Sequence, residues 1–525
     1  MATRNTLSTT AALAAFLVCS AVAGAQRPGE PVFPFSTDER YDAERIAPYR
    51  GMHEAIYRHI DANLPAHLGN IQRWLRQPSI SAQSVGITEM ATMLRDDLRA
   101  LGFKEAELVP TSGHPGVWGY YDAGAPKTLI VYMMYDVQPV EDNWRVPPFA
   151  AELVETEQGQ VVMARGATNQ KGPERAFLNA LASIIAVEGK LPVNLMVLAE
   201  GEEELGSPNY GQLVDRYEAR LRTADGVFFP FNSQGADGGI AMSMGVKGIL
   251  YMEIESRGGA WGGPSRSEIH GSYKVIVDAP AWRLTQALAS LTSRDGNTIT
   301  VPGYYNGIRP PTLEEQRLIN ALVSRGGEES ALAGLGVQRY IDGLSGRDLL
   351  VRQFYHPTLN INGFASGYAG EGAKTILPHL AVAKVDSRLP MGLSPDSALA
   401  RIRRHLVAGG FTDIEVRQLS GYPAAQTSVD APLVQAAISV YRKYGITPTL
   451  SPRLAGSAPF YQFTERLQLP LVFSGMGLGT GAHGPNEYMV IRPKPGSRVA
   501  GLAEIEKSYV DLLFALRSAA TTPRR

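Results

Sequence analysis

Continuous apolar runs of strand length recur in the first half of the chain, separated by segments with helical spacing. The runs cover residues 128–134, 193–199 and 226–229, and the helical patterns cover residues 172–188 and 210–221. A strand that is apolar throughout must be covered on both faces, and alternation of strands with helices is typical of a parallel sheet. We therefore predict an α/β fold with a mostly parallel sheet and helices on both of its faces.

The pattern changes near Gly248. Residues 249–256 alternate as a half-exposed strand, and strand-like and helical segments follow up to about residue 408. The first pattern then resumes, at 432–444 and 471–473. A chain of 525 residues exceeds what one hydrophobic core usually supports. We predict an inserted α+β domain at residues 246–425, between two parts of the first domain at 26–245 and 426–525.

The N-terminus has the order of a secretory signal peptide. Arg4 precedes an apolar run over residues 11–22, and Ala23-Gly24-Ala25 provides a small-residue cleavage site. We predict that residues 1–25 are a signal peptide, removed near Ala25, and that the protein is exported to the periplasm or beyond. The single cysteine, Cys19, lies in this leader, so we expect neither disulfides nor thiolate metal ligands.

The balance of charged residues argues against two classes of partner. Lys and Arg number 50 against 51 Asp and Glu, which gives no basic surface typical of nucleic-acid binding and no reason to expect a charged membrane partner.

Polar stretches follow the ends of buried strands, where open α/β sheets bind their ligands. They cover residues 133–139, 165–172, 200–208 and 481–487. Glu202, Glu203 and Glu204 repel one another, and a fold tolerates this mainly where a cation or a raised pKa relieves the repulsion. Taken alone, the stretch is equally consistent with a solvated acidic turn, and His483 in its Gly/Pro loop is a weak ligand candidate.

Five ordered motifs resemble a known family. They cover Tyr135 to Val140, Arg165 to Thr168, Glu200 to Pro208, Lys374-Thr375 through Pro378, and Ala482 to Glu487. In their residues and in their order along the chain, these motifs are similar to those of the zinc-dependent aminoacylases, carnosine dipeptidases, glutamate carboxypeptidases and succinyl-diaminopimelate desuccinylases. The resemblance runs from about residue 50 to the C-terminus. It implies the zinc-exopeptidase fold with an inserted lid or dimerisation domain.

The resemblance also implies a chemistry. In that family two zinc ions share a bridging carboxylate and a water, and a glutamate takes the proton of the water. By motif, Glu203 matches this general base and Glu204 the neighbouring zinc ligand. Asp136 matches the acid that orients the first histidine ligand, and His483 matches the last histidine ligand.

Three ligand positions depart from the family pattern. Met134 stands where the first histidine belongs, Asn169 replaces the bridging aspartate, and the remaining aspartate falls on Phe231 or its neighbour Asn232. A thioether suits copper(I), a neutral amide is a poor bridge between two dications, and a phenyl ring binds no metal in this way. We therefore expect zinc to be held weakly, as a single ion at most.

Substrate-binding residues are also implied by the resemblance. Arg453, with Ser457, matches a loop that clasps a substrate carboxylate, for which a forked guanidinium is well suited. His270 matches a lid histidine that reaches the site of an opposing subunit and steadies the oxyanion, although it could equally be a satisfied loop histidine.

Arg388 and Thr375 fall where the family's lid lines the cleft, although Arg388 could equally form a structural ion pair. Lys171 is a candidate replacement charge that could close on Glu203 or Glu204.

The sequence thus favours an exported hydrolase of small peptides or N-acyl amino acids, acting as a homodimer, with Glu203 activating water and Arg453 holding a carboxylate. Two alternatives stay open. One is a metal-independent acid/base enzyme, such as an acyl transferase, cyclase or lyase, and the other is a non-catalytic binder of peptides or amino acids.

Overall fold

The structure, a computed structural model, describes residues 29–519. The predicted signal peptide therefore lies outside the described residues. No helix within the described range is both long and apolar enough to cross a membrane.

The first part of the main domain contains α1 (Glu54–Arg76), α2 (Ile87–Ala100), β1 (Glu105–Val109), β2 (Gly116–Tyr121), β3 (Thr128–Met134), β4 (Glu152–Thr156), β5 (Gly159–Met163), α3 (Lys171–Glu188), β6 (Asn194–Glu200), α4 (Tyr210–Leu221), β7 (Gly226–Pro230), β8 (Ala241–Ser243) and β9 (Gly245–Val246).

The insertion follows β9, and the chain then returns to the main domain. The insertion contains β10 (Gly248–Arg257), β11 (Ile269–His270), α5 (Pro280–Ser290), α6 (Leu313–Arg325), α7 (Glu328–Leu335), α8 (Gly346–Tyr355), β12 (Asn360–Ser366), β13 (Ile376–Leu377), β14 (Leu380–Leu389), α9 (Pro395–Ala408) and β15 (Glu415–Tyr422). The last part contains β16 (Ala425–Gln426), α10 (Pro432–Lys443), β17 (Thr449–Ser451), β18 (Leu471–Ser474), β19 (Gly479–Thr480), β20 (Tyr488–Pro493) and α11 (Leu502–Ser518).

A six-stranded sheet, in the order β1-β2-β6-β3-β7-β18, forms the centre of the main domain. Strands β6, β3, β7 and β18 are parallel, and β2 runs antiparallel to its two neighbours. Alternate residues of β3 face opposite cores: Val131 packs in the layer of α1, α3 and α11, whereas Tyr132 packs in the layer of α4. Burial on both faces explains why these strands are apolar throughout.

The insertion is built on a four-stranded antiparallel sheet, in the order β12-β14-β10-β15. Residues Leu250, Met252 and Ile254 of β10 pack with α5 and α9 in a separate hydrophobic core. The alternate residues Ile249 and Tyr251 face a large cavity. The predicted fold class, a mostly parallel α/β sheet with an inserted α+β domain, is confirmed.

Helix α6 lies within the predicted insertion but packs against the main domain. It contacts β17, and its Leu318 belongs to the main hydrophobic core. The N-terminal segment binds the same helix, because Tyr41 N–H donates to the carbonyl of Arg317 and Asn320 donates to the carbonyls of Thr37 and Glu39. This arrangement fixes α6 to the main domain, and α8, which lines the cavity, packs against α6.

A buried ion pair joins α6 to the loop after β17. The Arg453 guanidinium, which is 0 % exposed, donates to Glu315 and to Gln426, and it stacks over Tyr355 at 4.4 Å from the ring centroid. Glu315 also forms the capping box of α6 with Thr312. The Glu315 carboxylate therefore caps the N-terminus of α6 and also neutralises a guanidinium that has no access to water.

We expect Glu315→Leu to lower the free energy of unfolding by about 3–5 kcal/mol, because it leaves the Arg453 charge buried without its partner. The double variant Glu315→Leu/Arg453→Met removes both charges and should recover most of this loss. Urea denaturation of the wild type and of the two variants measures the difference. A double variant that is less stable than Glu315→Leu would contradict this account of the pair.

Candidate active site

Asp136 organises the acidic turn at the end of β6. It follows β3 directly and is fully buried, and its two carboxylate oxygens accept the backbone N–H groups of Glu203 at 3.2 Å and Glu204 at 3.1 Å. Burial, together with the negative charge of the nearby Glu204, raises the pKa of Asp136 to about 7. Asp136 thus lies beside the two glutamates, and its partners are their backbone amides rather than a histidine.

Two further carboxylates of this turn, Glu200 and Glu202, are bonded to neighbouring side chains and do not line the cavity. Glu200 accepts hydrogen bonds from the hydroxyls of Tyr132 at 2.8 Å and Ser207 at 2.9 Å. Glu202 accepts from the side-chain amide of Asn209 at 2.8 Å. Of the acidic residues in the turn, Glu204 lines the large cavity.

Glu203 keeps its proton more tightly than an ordinary glutamate. Burial raises its pKa well above the usual value, and the negative charges of Glu204, Asp136 and Glu200 raise it further. An elevated pKa in a glutamate beside a cavity is the property expected of a general acid or base near neutral pH.

The side chains of Asn169, Glu204 and His483 form a triangle of polar contacts. The Asn169 side-chain amide lies 2.7 Å from Glu204 Oε1 and 3.1 Å from His483 Nε2, and His483 Nε2 lies 3.2 Å from Glu204 Oε2. The hydrogen bond with Glu204 raises the pKa of His483. Because Nε2 has one in-plane site, it donates to Glu204 when it carries a proton and accepts from the Asn169 amide only when it does not. The Asn169 amide donates to Glu204 in either case.

Glu487 fixes the loop that carries Asn169. This buried carboxylate accepts the backbone N–H groups of Gly166, Thr168 and Asn169 and pairs with the guanidinium of Arg165. The loop containing His483 and the loop containing Asn169 are thereby held together.

The other ligand positions carry no metal donor of the family type. Met134 is buried and packs in the hydrophobic core beside α4, while its N–H donates to Glu174 at 2.8 Å. Phe231 packs against Phe229, and the Asn232 amide donates to the Thr168 hydroxyl at 3.1 Å. Among residues 29–519, no group of three or more His, Cys, Asp or Glu side chains is arranged to hold a metal ion. The donors present do not fit a pair of zinc ions.

Two predicted roles are corrected by the structure. Lys171 does not close on Glu203 or Glu204, because its ammonium group is buried at the start of α3 and donates to the carbonyls of Gln77 at 2.6 Å and Trp74 at 3.4 Å. Arg453 is not free to clasp a substrate carboxylate, because it is fully buried and already paired with Glu315.

The remaining predicted residues lie in three places. Arg388 lines the cavity. Ser457 lies near the start of the insertion, where its hydroxyl donates to the carbonyl of Gly248 at 2.9 Å. His270 and Thr375 lie together on an exposed edge of the insertion, outside the lining of the cavity in the single chain, so the prediction that Thr375 lines the cleft is wrong for one chain.

Sequence reasoning missed Lys247, which lines the cavity while being only 2 % exposed. It stands between the apolar residues of β9 and β10, and a lysine between two buried strands is the one signal that could have drawn attention to it. It also missed Glu315, whose pairing with Arg453 depends on how α6 packs.

We expect the wild type, loaded with excess zinc and passed through a chelating column, to retain well below two zinc ions per chain. The triple variant Met134→His/Asn169→Asp/Phe231→Asp restores the missing nitrogen and oxygen donors and should retain clearly more. Elemental analysis gives the stoichiometry, and circular dichroism checks that both proteins are folded. Two tightly held zinc ions in the wild type would show that the ligand assignment is wrong.

Comparison with known proteins gives the same family as the motifs. Residues 130–495 match the family described as peptidase family M20/M25/M40. Cys-Gly metallodipeptidase DUG1 of Candida albicans is 26% identical over 465 residues, covering 83% of this chain and 93% of the relative. Human beta-Ala-His dipeptidase is 26% identical over 373 residues, covering 67% of this chain and 71% of the relative.

Solved structures agree. The M20 family metallo-carboxypeptidase Sso-CP2 from Sulfolobus solfataricus superposes with a TM-score of 0.76 at 30% identity, covering 86% of this chain and 98% of that one. Human carnosine dipeptidase 1 shares the fold with a TM-score of 0.72 at 23% identity, covering 88% and 99%. The chain therefore belongs to peptidase family M20/M25/M40 and is a peptidase or amidohydrolase by descent, as the motifs predicted.

Proposed function

We propose that this protein hydrolyses the amide bonds of small peptides or N-acyl amino acids after export, with Glu203 as the general base. The observation that carries the proposal is that Asp136 holds Glu203 and Glu204 in one turn, of which Glu204 lines the large cavity. The family relatives include proteins named as dipeptidases and a carboxypeptidase, which supports a peptide substrate.

The chemistry follows from the position of this carboxylate. Glu203 takes one proton from a water molecule as the water oxygen bonds to the amide carbonyl carbon. The carbon–nitrogen bond then breaks, and Glu203 returns the proton to the leaving amine, so that an acid and an amine are released. No step of this sequence is assigned to a metal ion, because the donors present do not fit the zinc pair.

A second candidate function is ligand binding without turnover. The triangle of Asn169, Glu204 and His483 favours it, because this triangle occupies hydrogen-bonding capacity that the family's ligands use for metal. The two candidates make different demands on Glu203: a base is essential for turnover, whereas a binder has no need of one.

We expect Glu203→Gln to abolish turnover on a panel of dipeptides and N-acyl amino acids, because the amide cannot accept the proton, while ligand affinity is retained. Turnover by liquid chromatography and affinity by calorimetry are measured on the same samples. Glu202→Gln is the matched control, since Glu202 is a neighbouring buried carboxylate bonded to Asn209, and it should keep most of the activity. Unchanged turnover in Glu203→Gln would refute the mechanism. Absence of turnover in the wild type, with binding intact, would favour the binder.

We also propose a homodimer formed through the insertion. Strand β12 is an unpaired edge of the four-stranded sheet, and its side chains include the exposed Ile361 and Phe364. An exposed apolar edge strand is a template for pairing with another chain. His270 lies outside the lining of its own chain's cavity, which is consistent with a role in an opposing subunit.

We expect Phe364→Asp to convert the dimer to a monomer at micromolar concentration, because the charge would be placed at the pairing edge. Leu419→Asp is the control, since Leu419 is a similarly exposed apolar residue on β15, at the opposite edge of the same sheet. Light scattering with size-exclusion chromatography measures the mass. A wild type that is monomeric, or a Leu419→Asp variant that dissociates equally, would contradict assembly through β12.

A further inference from the structure

The cavity beside Glu204 is larger than a small ligand requires. Its volume is about 1380 Å³, whereas pockets for small molecules are typically about 300–1,000 Å³. One wall is the open face of the insertion's sheet, with Ile249, Tyr251 and Arg388, and the opposite wall is formed by α7, α8 and the loop between them.

Lys247 places a positive charge in the wall of this cavity. It is 2 % exposed, and its ammonium group donates to the carbonyl of His356 at 2.7 Å. No carboxylate within residues 29–519 lies within ion-pair distance of it. Burial, together with the positive charges of Arg453, Arg388 and Arg352, lowers the pKa of Lys247 to about 7. A buried cation in this position is stabilised by an anion that enters from the cavity.

The neighbouring arginines differ in whether they are available. Arg453 is neutralised by Glu315, and Arg352 is paired with Glu30 of the N-terminal segment. Arg388 uses its Nε to bind Asp386, and in the described part of the chain no acceptor bonds its two terminal nitrogens. Lys247 and Arg388, beside and on the insertion's sheet, can therefore receive a ligand anion, and Arg339 in the opposite wall is a further cation of the cavity lining.

The wall opposite the sheet includes polar residues such as Arg339 and Gln353, but it also carries an incompletely covered apolar patch. It includes Leu335, which is 69 % exposed, and Ile341, which is 41 % exposed, together with the half-buried Leu344 and Leu349. Exposed leucine and isoleucine side chains that line a cavity are stabilised when an apolar group covers them. The cations and this apolar wall belong to the same cavity, so one ligand could satisfy both.

We propose that the cavity binds a carboxylate joined to an extended apolar chain, and that Lys247 and Arg388 bind the carboxylate while the wall around Leu335 and Ile341 covers the chain. A long-chain N-acyl amino acid and an apolar oligopeptide share this chemistry. The proposal deepens the proposed function by naming its substrate class, and it rests on that function for the identity of the cavity as the substrate site.

Binding to the full-length chain tests the proposal, with N-dodecanoylglycine as the principal probe. N-acetylglycine lacks the apolar chain, the glycinamide form of the dodecanoyl probe lacks the carboxylate, and the peptide Leu-Leu-Leu-Gly represents the oligopeptide source. We expect calorimetry to give a markedly tighter Kd for N-dodecanoylglycine than for N-acetylglycine or the amide. Comparison with the peptide then shows which of the two sources is preferred.

Variants locate the two ends of the ligand. Lys247→Met should weaken N-dodecanoylglycine by about 30-fold or more and leave the amide probe unchanged. Arg388→Met should act in the same direction, which keeps the test valid if Lys247→Met does not fold. Leu335→Asp should weaken N-dodecanoylglycine and spare N-acetylglycine. Val337→Asp is its matched control, because Val337 is exposed just beyond the same helix but does not line the cavity.

Equal affinity for N-dodecanoylglycine and N-acetylglycine would overturn the proposal, as would binding that is insensitive to both Lys247→Met and Arg388→Met. If Leu335→Asp lowers the mass of the assembly without altering ligand affinity, a second copy of the chain covers this wall and the proposal is wrong. Affinities measured in the Glu203→Gln background do not depend on turnover. A tight, variant-sensitive Kd without hydrolysis in the wild type would therefore overturn the proposed function and leave this inference standing.

Discussion

The hydrogen bonds that Asp136 accepts from the backbone of Glu203 and Glu204 hold the site together. They join the end of β3 to the turn after β6, two strands that are neighbours and parallel in the central sheet. Because the carboxyl ends of parallel strands meet at one edge, residues separated by more than sixty positions in sequence meet here. Without this acceptor, the two N–H groups would be buried without a partner, and the turn would lose its fixed orientation toward the cavity.

A second carboxylate, Glu487, has the same role on the other side of the site. By binding three backbone N–H groups of the loop that carries Asn169, it fixes that side chain between Glu204 and His483. In the family, a bridging carboxylate at this position joins two cations. Here a neutral amide donates a hydrogen bond to the carboxylate of Glu204, so the two loops are joined by hydrogen bonds among protein groups. The loops of the site are thus held in place by contacts among protein groups.

The parts of this molecule that follow from local pattern could be predicted from the sequence. The apolar run of β3 specifies a strand buried on both faces, and the polar residues after β3 and β6 specify the edge where the site lies. The roles of Lys171, Arg453 and Lys247 could not be predicted in this way. Lys171 turns toward carbonyls at the end of α1, and Arg453 is covered by α6, a helix within the insertion that packs on the main domain. Such pairings depend on which segments meet in three dimensions, and a motif does not contain that information.

The packing of α6, α7 and α8 also shapes the cleft. Helix α6 supplies the acid that neutralises Arg453, while the segment from α7 to α8 supplies an apolar wall and the N-terminal segment supplies Glu30 as the partner of Arg352. Together they leave Lys247 and Arg388 as the cations beside the insertion's sheet that can meet a ligand. The charge and shape of the cleft therefore follow from the insertion, whereas the position of Glu203 follows from the central sheet.

The central claim is that hydrogen bonds among Asn169, Glu204 and His483 replace the metal cluster of the family. Anomalous diffraction at the zinc edge, from crystals grown with excess zinc, tests it most directly. The account predicts no pair of zinc peaks between these residues and an Asn169 amide within hydrogen-bonding distance of both Glu204 and His483. A pair of strong neighbouring peaks bound by Glu204 and His483, with Asn169 displaced or acting as a bridge, would contradict it.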